Sequence, residues 1–87
     1  MLKNKNILIS VFGMGYVGLS LANHLSKNFQ TIGFDINKKK ILKLKNGYDD
    51  TKELSKINKK LKFTSKMSDL KKINVFILCL PTPVNKS

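Results

Sequence analysis

The sequence predicts an α/β fold in which helices flank a parallel β-sheet. Three observations support this prediction. Apolar runs rich in β-branched residues alternate with segments whose apolar residues recur at helical spacing. The first apolar run leads directly into three glycines spaced G-x-G-x-x-G. The last run, over residues 74–80, is the most apolar and stops at Pro-Thr-Pro, where proline cannot continue a β-ladder.

The chain opens with a strand followed by a helix. Residues 7–12 are apolar and β-branched, which is typical of a buried strand. Residues 16–27 follow with apolar side chains on one predicted helical face. The members of that face are Val17, Leu21, Ala22 and Leu25.

A second strand and a second helix come next. Residues 31–34 predict a short strand. Asn37 is a suitable N-cap for a helix that buries Ile41 and Leu44, which are three residues apart. Gly47 is expected to end this helix.

The second half of the chain completes the sheet. Residues 51–60 predict a helix, and residues 61–64 alternate like a short edge strand. Residues 68–72 predict one helical turn capped by Ser68, and residues 74–80 predict a fully buried strand. Strands and helices in this order imply parallel pairing through right-handed crossovers.

Composition narrows the function classes. The chain has 87 residues and a net charge of +12, carried by 17 lysines and no arginine. The lysines are scattered, and arginine is the preferred residue for reading bases or clamping phosphates, so we expect no nucleic-acid partner. No apolar run is long enough to cross a bilayer, so no membrane partner is expected. The single cysteine, Cys79, fits a reducing cytoplasm and is expected to be a small buried hydrophobe.

The glycines carry the clearest functional information, because they lie between a predicted strand and a predicted helix. Gly13 would permit the tight turn, Gly15 would leave room for a pyrophosphate, and Gly18 would let the helix approach the sheet. The backbone N–H groups of Tyr16 and Val17 would face the phosphates at the positive end of the helix. The alternative is that these glycines serve packing only.

An acidic residue completes the pattern. Asp35 stands 20 residues after Gly15, at the end of the second predicted strand, where a carboxylate can hold the adenosine ribose. The sequence therefore predicts a Rossmann-like sheet of strand order 3-2-1-4 that binds a dinucleotide. The negative charge favours NAD over NADP, although the lysines at 38–40 could neutralise a 2′-phosphate.

Pro81-Thr82-Pro83 follows the fourth predicted strand, which neighbours the first in this order. Thr82 would therefore offer a hydroxyl beside the glycine loop. From the residues alone, a cofactor contact and a simple strand terminator are equally consistent with this turn.

Together, "GMGYVGLSLA", Asp35 and "LPTPV" resemble the start of the UDP-glucose/GDP-mannose dehydrogenase family. The wider pattern is most similar to the branch that oxidises UDP-N-acetylhexosamines for surface polysaccharides. The resemblance covers nearly the whole chain. It implies an NAD-dependent oxidoreductase that converts C6 of a nucleotide sugar from alcohol to carboxylate with two successive NAD molecules.

The resemblance also implies roles for individual residues. The backbone at Tyr16 and Val17 would meet the pyrophosphate, and Asp35 would hold the ribose with help from Lys40, five positions later. Thr82 would lie against the cofactor.

The family's catalytic cysteine, catalytic lysine and sugar-binding part have no counterpart here. Residues 1–87 are therefore expected to form the N-terminal portion of a dinucleotide-binding domain, incomplete and inactive alone. Cys79 lies in the wrong context to be catalytic, and His24 lacks an orienting partner, so no catalytic or metal-binding residue is predicted. A complete family member is expected to be a homo-oligomer. Because the strand over 74–80 would be an uncovered edge, the isolated chain is expected to be weakly stable or prone to aggregate.

Three other functions remain open from the sequence. The glycine motif also fits another hydroxyacid-type dehydrogenase, although the Pro-Thr-Pro turn argues against it. The chain could be a nucleotide-binding module without catalysis. A basic nucleic-acid-binding domain is the least favoured.

Overall fold

The computed structural model describes residues 6–46 and 57–79. Four strands form one parallel sheet in the order β3-β2-β1-β4. These strands are β1 (Leu8–Phe12), β2 (Gln30–Phe34), β3 (Lys62–Thr64) and β4 (Val75–Leu78). Helix α1 (Tyr16–Leu25) follows β1, helix α2 (Lys38–Lys45) follows β2, and a 3₁₀ helix (Met67–Leu70) lies between β3 and β4. The predicted fold class and strand order are confirmed.

One buried apolar cluster joins the sheet to both helices. Alternate residues of β1 enter it because successive strand side chains point to opposite faces. Among its members are Ile9 and Val11 of β1, Leu19 and Ala22 of α1, Ile41 and Leu44 of α2, and Phe63 of β3. The cluster holds the two helices against one face of the sheet, and this fixes where each helix begins relative to the strand ends.

Aromatic rings occupy neighbouring strands near the carboxyl end of the sheet. The Phe12 and Phe34 ring centroids lie 4.7 Å apart, and the Phe76 ring meets Phe12 edge-on at 5.6 Å. Phe34 is buried, but Phe76 is 53% exposed and Leu78 is 65% exposed. The prediction of a fully buried strand is therefore wrong, whereas the expectation that this strand is an uncovered edge is confirmed for the described residues. Strand β4 lies at one edge of the sheet that the described residues form.

The buried face of α1 also differs from the predicted one. Val17 is 63% exposed, whereas Gly18, Leu19 and Ala22 are buried. The helix presents its glycine to the sheet, and this rotation turns Val17 toward solvent. The predicted buried face of α2 is confirmed, and Asn37 caps that helix by accepting a hydrogen bond from the Lys40 N–H at 3.0 Å.

Two smaller predictions are wrong, and others fall outside the described residues. The 3₁₀ helix follows Lys66, with no side-chain cap, so Ser68 lies within it instead of opening it. Residues 57–60 form a turn and not the end of a helix. The rest of that predicted helix, and Gly47, lie outside the described residues. Within residues 6–46 and 57–79, no helix is long and apolar enough to cross a membrane.

Candidate functional site

The glycine loop leaves the carboxyl end of β1 through a backbone conformation that favours glycine. Gly13 has a φ of 101°, in the left-handed region where a Cβ is strained. Its N–H donates to the Phe34 carbonyl at 2.7 Å. The turn is therefore tied to the end of β2, and the ends of both strands meet at one place.

Gly18 and Gly15 meet very different surroundings. A Cβ added at Gly18 would overlap the carbonyl oxygen of Gly13, so helix and loop are in direct backbone contact. A Cβ added at Gly15 would meet nothing within 4 Å. Gly18 is thus required by packing, whereas the space over Gly15 is open. A diphosphate would need such a space to approach the backbone.

Helix α1 directs its positive end into this space. Its first hydrogen bond runs from the Leu19 N–H to the Gly15 carbonyl at 2.9 Å. The N–H groups of Tyr16 and Val17 precede that bond, and such groups have no intrahelical acceptor. The first turn carries no acidic side chain, and both residues are exposed. The helix end is therefore suited to an anion.

Asp35 lies against the glycine loop. One carboxylate oxygen accepts a hydrogen bond from the Met14 N–H at 2.8 Å, and the other accepts from the Asn37 N–H at 2.9 Å. The carboxylate thus joins the loop after β1 to the start of α2. It is half-buried, so it remains open to solvent on one side.

Sequence reasoning missed the role of Met14. Its side chain is almost fully buried, and it lies so close to Gly33 of β2 that a Cβ there would overlap the Met14 sulfur. Met14 therefore anchors the loop in the core while its N–H is bonded to Asp35. Its apolar character between two glycines was the available indication.

The remaining predicted contacts lie partly within the described chain. Lys40 is half-buried in the first turn of α2, where its N–H is bonded to the Asn37 side chain. The Cys79 N–H donates to the Phe12 carbonyl at 2.8 Å, so β1 and β4 continue side by side to the end of the described segment. Thr82 lies outside the described residues.

The chemically reactive side chains of the described residues do not gather at this site. Cys79 is half-buried beside Gly18, at the rim of the core, and is therefore less enclosed than expected. His24 is exposed near the other end of α1. Among the described residues, no group of three potential metal ligands occurs. The geometry therefore favours binding of an anion and a sugar hydroxyl over catalysis by these residues.

Comparison with known proteins agrees with this geometry. Residues 7–87 match the UDP-glucose/GDP-mannose dehydrogenase family, NAD binding domain. A UDP-N-acetyl-D-glucosamine 6-dehydrogenase of Salmonella typhi is 46% identical over 83 residues, which are 91% of this chain and 20% of that protein. A UDP-N-acetyl-D-glucosamine 6-dehydrogenase of Pseudomonas aeruginosa is 42% identical over 94% of this chain and 20% of its own length.

A solved structure of a related dehydrogenase has a similar fold. The UDP-D-ManNAc dehydrogenase from Pyrococcus horikoshii superposes with a TM-score of 0.72 at 30% sequence identity. The match covers 91% of this chain and 21% of the solved one. The chain thus spans about one fifth of the length of the relatives it matches.

Proposed function

Because the chain belongs to the UDP-glucose/GDP-mannose dehydrogenase family and matches its NAD-binding domain, we propose that it binds NAD as part of a nucleotide-sugar 6-dehydrogenase. The observation that carries the proposal is the meeting of Asp35 with a glycine loop that has open space at Gly15. A dinucleotide needs both features within reach of one another.

Each residue of the proposed site has a physical task. Gly15 leaves room for the pyrophosphate, and the Tyr16 and Val17 N–H groups donate to it. Asp35 accepts hydrogen bonds from the adenosine ribose through lone pairs that its two backbone partners leave free. Lys40 is proposed to support this carboxylate or the ribose from the first turn of α2. Gly13 and Gly18 hold the loop in shape.

Thr82 is proposed to lie against the cofactor from the turn after β4. The support is the pairing of β1 with β4, in which Phe12 stands opposite Leu78. Strand β4 therefore ends beside the start of the glycine loop.

The proposed reaction is the oxidation of a nucleotide-sugar C6 alcohol to a carboxylate. When bound, NAD supplies the hydride acceptor, and two NAD molecules in succession account for the four electrons removed. UDP-N-acetylhexosamines are the proposed substrates, since UDP-N-acetyl-D-glucosamine and UDP-N-acetyl-D-mannosamine appear in the names of the relatives. We assign no catalytic residue to residues 1–87, which are proposed to be the N-terminal part of the cofactor domain. The complete enzyme is proposed to be a cytoplasmic homo-oligomer.

Calorimetric titration with NAD tests the site. In Gly15→Val, the side chain fills the open space without strain, because Gly15 has an ordinary φ of −78°. We expect this variant to lose NAD binding while its melting temperature stays near that of the wild type. Met67→Val, at an exposed position away from the loop, should bind normally. Equal heats from the wild type and Gly15→Val would contradict the proposed site.

The substrate proposal needs a separate measurement on the complete reading frame. NADH formation should follow addition of a UDP-N-acetylhexosamine and should reach two NADH per sugar. Turnover of a small 2-hydroxy acid with no turnover of UDP-sugars would instead favour the hydroxyacid-type alternative.

A further inference from the structure

A concave surface lies at the amino ends of the strands, opposite the end that carries the glycine loop. A cavity of about 940 Å³ opens beside the first residues of three strands, Leu8 of β1, Gln30 of β2 and Lys62 of β3. Its other walls are the turn after α1 and the segment around the 3₁₀ helix. A cavity of this volume lies within the range of small-molecule sites, and all of its lining residues are described.

The cavity gathers positive charge that is dispersed in the sequence. Five lysines from three segments line it, and all five are exposed: Lys27, Lys60, Lys62, Lys71 and Lys72. The one acidic residue of the lining is Asp69, whose carboxylate accepts a hydrogen bond from the Thr64 hydroxyl. Five lysines against one carboxylate leave the lining with an excess of positive charge, and such a concave surface concentrates anions.

The same cavity has an apolar part. Leu8 and Ile32 contribute from the sheet, and Phe29 and Ile73 contribute from the segments that lead into β2 and β4. All four side chains are only partly buried, so apolar surface remains available. An inorganic anion would leave this surface unused, whereas a flat heteroaromatic group could cover it.

We propose that this cavity binds a nucleoside polyphosphate, with its phosphates among the lysines and its base against the apolar side chains. Lysine ammonium groups bind phosphate as point charges. The proposed site is separate from the NAD site, because the two lie at opposite ends of the strands. It does not depend on the function proposed above.

Amide NMR shifts of the ¹⁵N-labelled 87-residue chain can locate the ligand. We expect added ADP to shift the amides of residues 28–32 and 71–73, which border the cavity. Shifts at residues 13–18 would report the glycine loop, which the ADP part of NAD is also expected to occupy. The proposal fails if ADP shifts only the glycine loop, or if no cavity amide moves.

Two charge-matched variants separate a built site from general attraction. Lys62→Ala/Lys71→Ala removes two cavity charges. The ADP affinity obtained from the cavity amide shifts should fall about tenfold. Lys39→Ala/Lys66→Ala removes two exposed lysines that do not line the cavity and should leave that affinity unchanged. An equal loss of ADP affinity in both variants would show that only the net charge of the chain matters, and it would overturn the proposal. Native-like spectra of the free variants confirm folding.

Inorganic pyrophosphate tests the apolar half of the proposal. It carries comparable phosphate groups without a base, so it should bind the cavity at least about tenfold more weakly than ADP. Equal affinities would show that the apolar side chains contribute nothing and would overturn the assignment to a nucleoside.

Discussion

At Gly18, a single methyl group would separate α1 from the glycine loop. The Gly13 carbonyl occupies the place of a Cβ, and backbone atoms cannot move aside as a flexible side chain could. We expect Gly18→Ala to lower the free energy of unfolding by about 1–3 kcal/mol, as overpacking does. Urea unfolding measures this change. Gly15→Ala is the control, because open space surrounds it, and it should lower stability by less than about 1 kcal/mol.

Ser10 offers a change in the opposite direction. It is completely buried in β1, and its hydroxyl oxygen has no hydrogen-bond partner among the described residues. A buried polar group without a partner is destabilising, so Ser10→Ala should raise the free energy of unfolding by up to about 1 kcal/mol. Thermal and urea unfolding would both detect this.

Thr31 provides the comparison for Ser10. It is also buried in a strand, but its hydroxyl donates to the Phe29 carbonyl at 2.9 Å. Thr31→Val should therefore lower stability by about 1 kcal/mol. The same sign of change at both positions would contradict the interpretation of the Ser10 hydroxyl.

At the scale of elements, α2 shows how a short amphipathic pattern determines packing. Leu44 is buried in the core, whereas Leu42 on the same helix is 62% exposed. Leu44→Ala should lower the free energy of unfolding by about 2–5 kcal/mol, because it removes buried apolar volume. Leu42→Ala should change it by less than about 0.5 kcal/mol. Comparable losses in the two variants would mean that the helix is packed in a different rotation.

Sequence patterns predicted these elements unequally. The alternation of strands and helices predicted parallel pairing, and the glycine motif with Asp35 predicted the strand order. Asn37, Ile41 and Leu44 predicted α2 correctly, because capping and apolar spacing are local features. The rotation of α1 depends on a backbone contact at Gly18, which apolar periodicity does not report. The Asp35 spacing indicated the loop it would approach, but its bonds to two backbone N–H groups depend on the tertiary fold.

The fourth strand and the cavity were harder to predict for a related reason. The composition of β4 is typical of a strand with cover on both faces, whereas its exposure depends on which elements lie around it. The five cavity lysines come from separated segments, so their convergence is a property of the fold. Scattered lysines in the sequence therefore gave no indication of a common site.

For the molecule as a whole, the exposed apolar side chains of β4 are expected to lower stability and promote association. Phe76 and Leu78 expose apolar surface on an edge strand, and such edges promote association. We expect the 87-residue chain to unfold with a free energy below about 5 kcal/mol and to self-associate as its concentration rises. Urea unfolding and light scattering measure the two properties.

A matched pair of charge substitutions tests the origin of that association. Leu78→Lys should reduce self-association, because it places a charge within the apolar edge. Leu42→Lys adds the same charge at an equally exposed leucine on α2 and should have a smaller effect. A cooperative monomer with a free energy of unfolding above about 5 kcal/mol would contradict the expectation for the whole chain.

The Asp35 carboxylate bridges two successive strand-to-helix connections through the Met14 and Asn37 amides. Folding alone is therefore enough to bring those connections into register, before any encounter with another molecule. A ligand would therefore meet a preorganised backbone, and little of its binding free energy would be lost in ordering these connections. Slow deuterium exchange of the Met14 and Asn37 amides in the ligand-free protein would show this preorganisation.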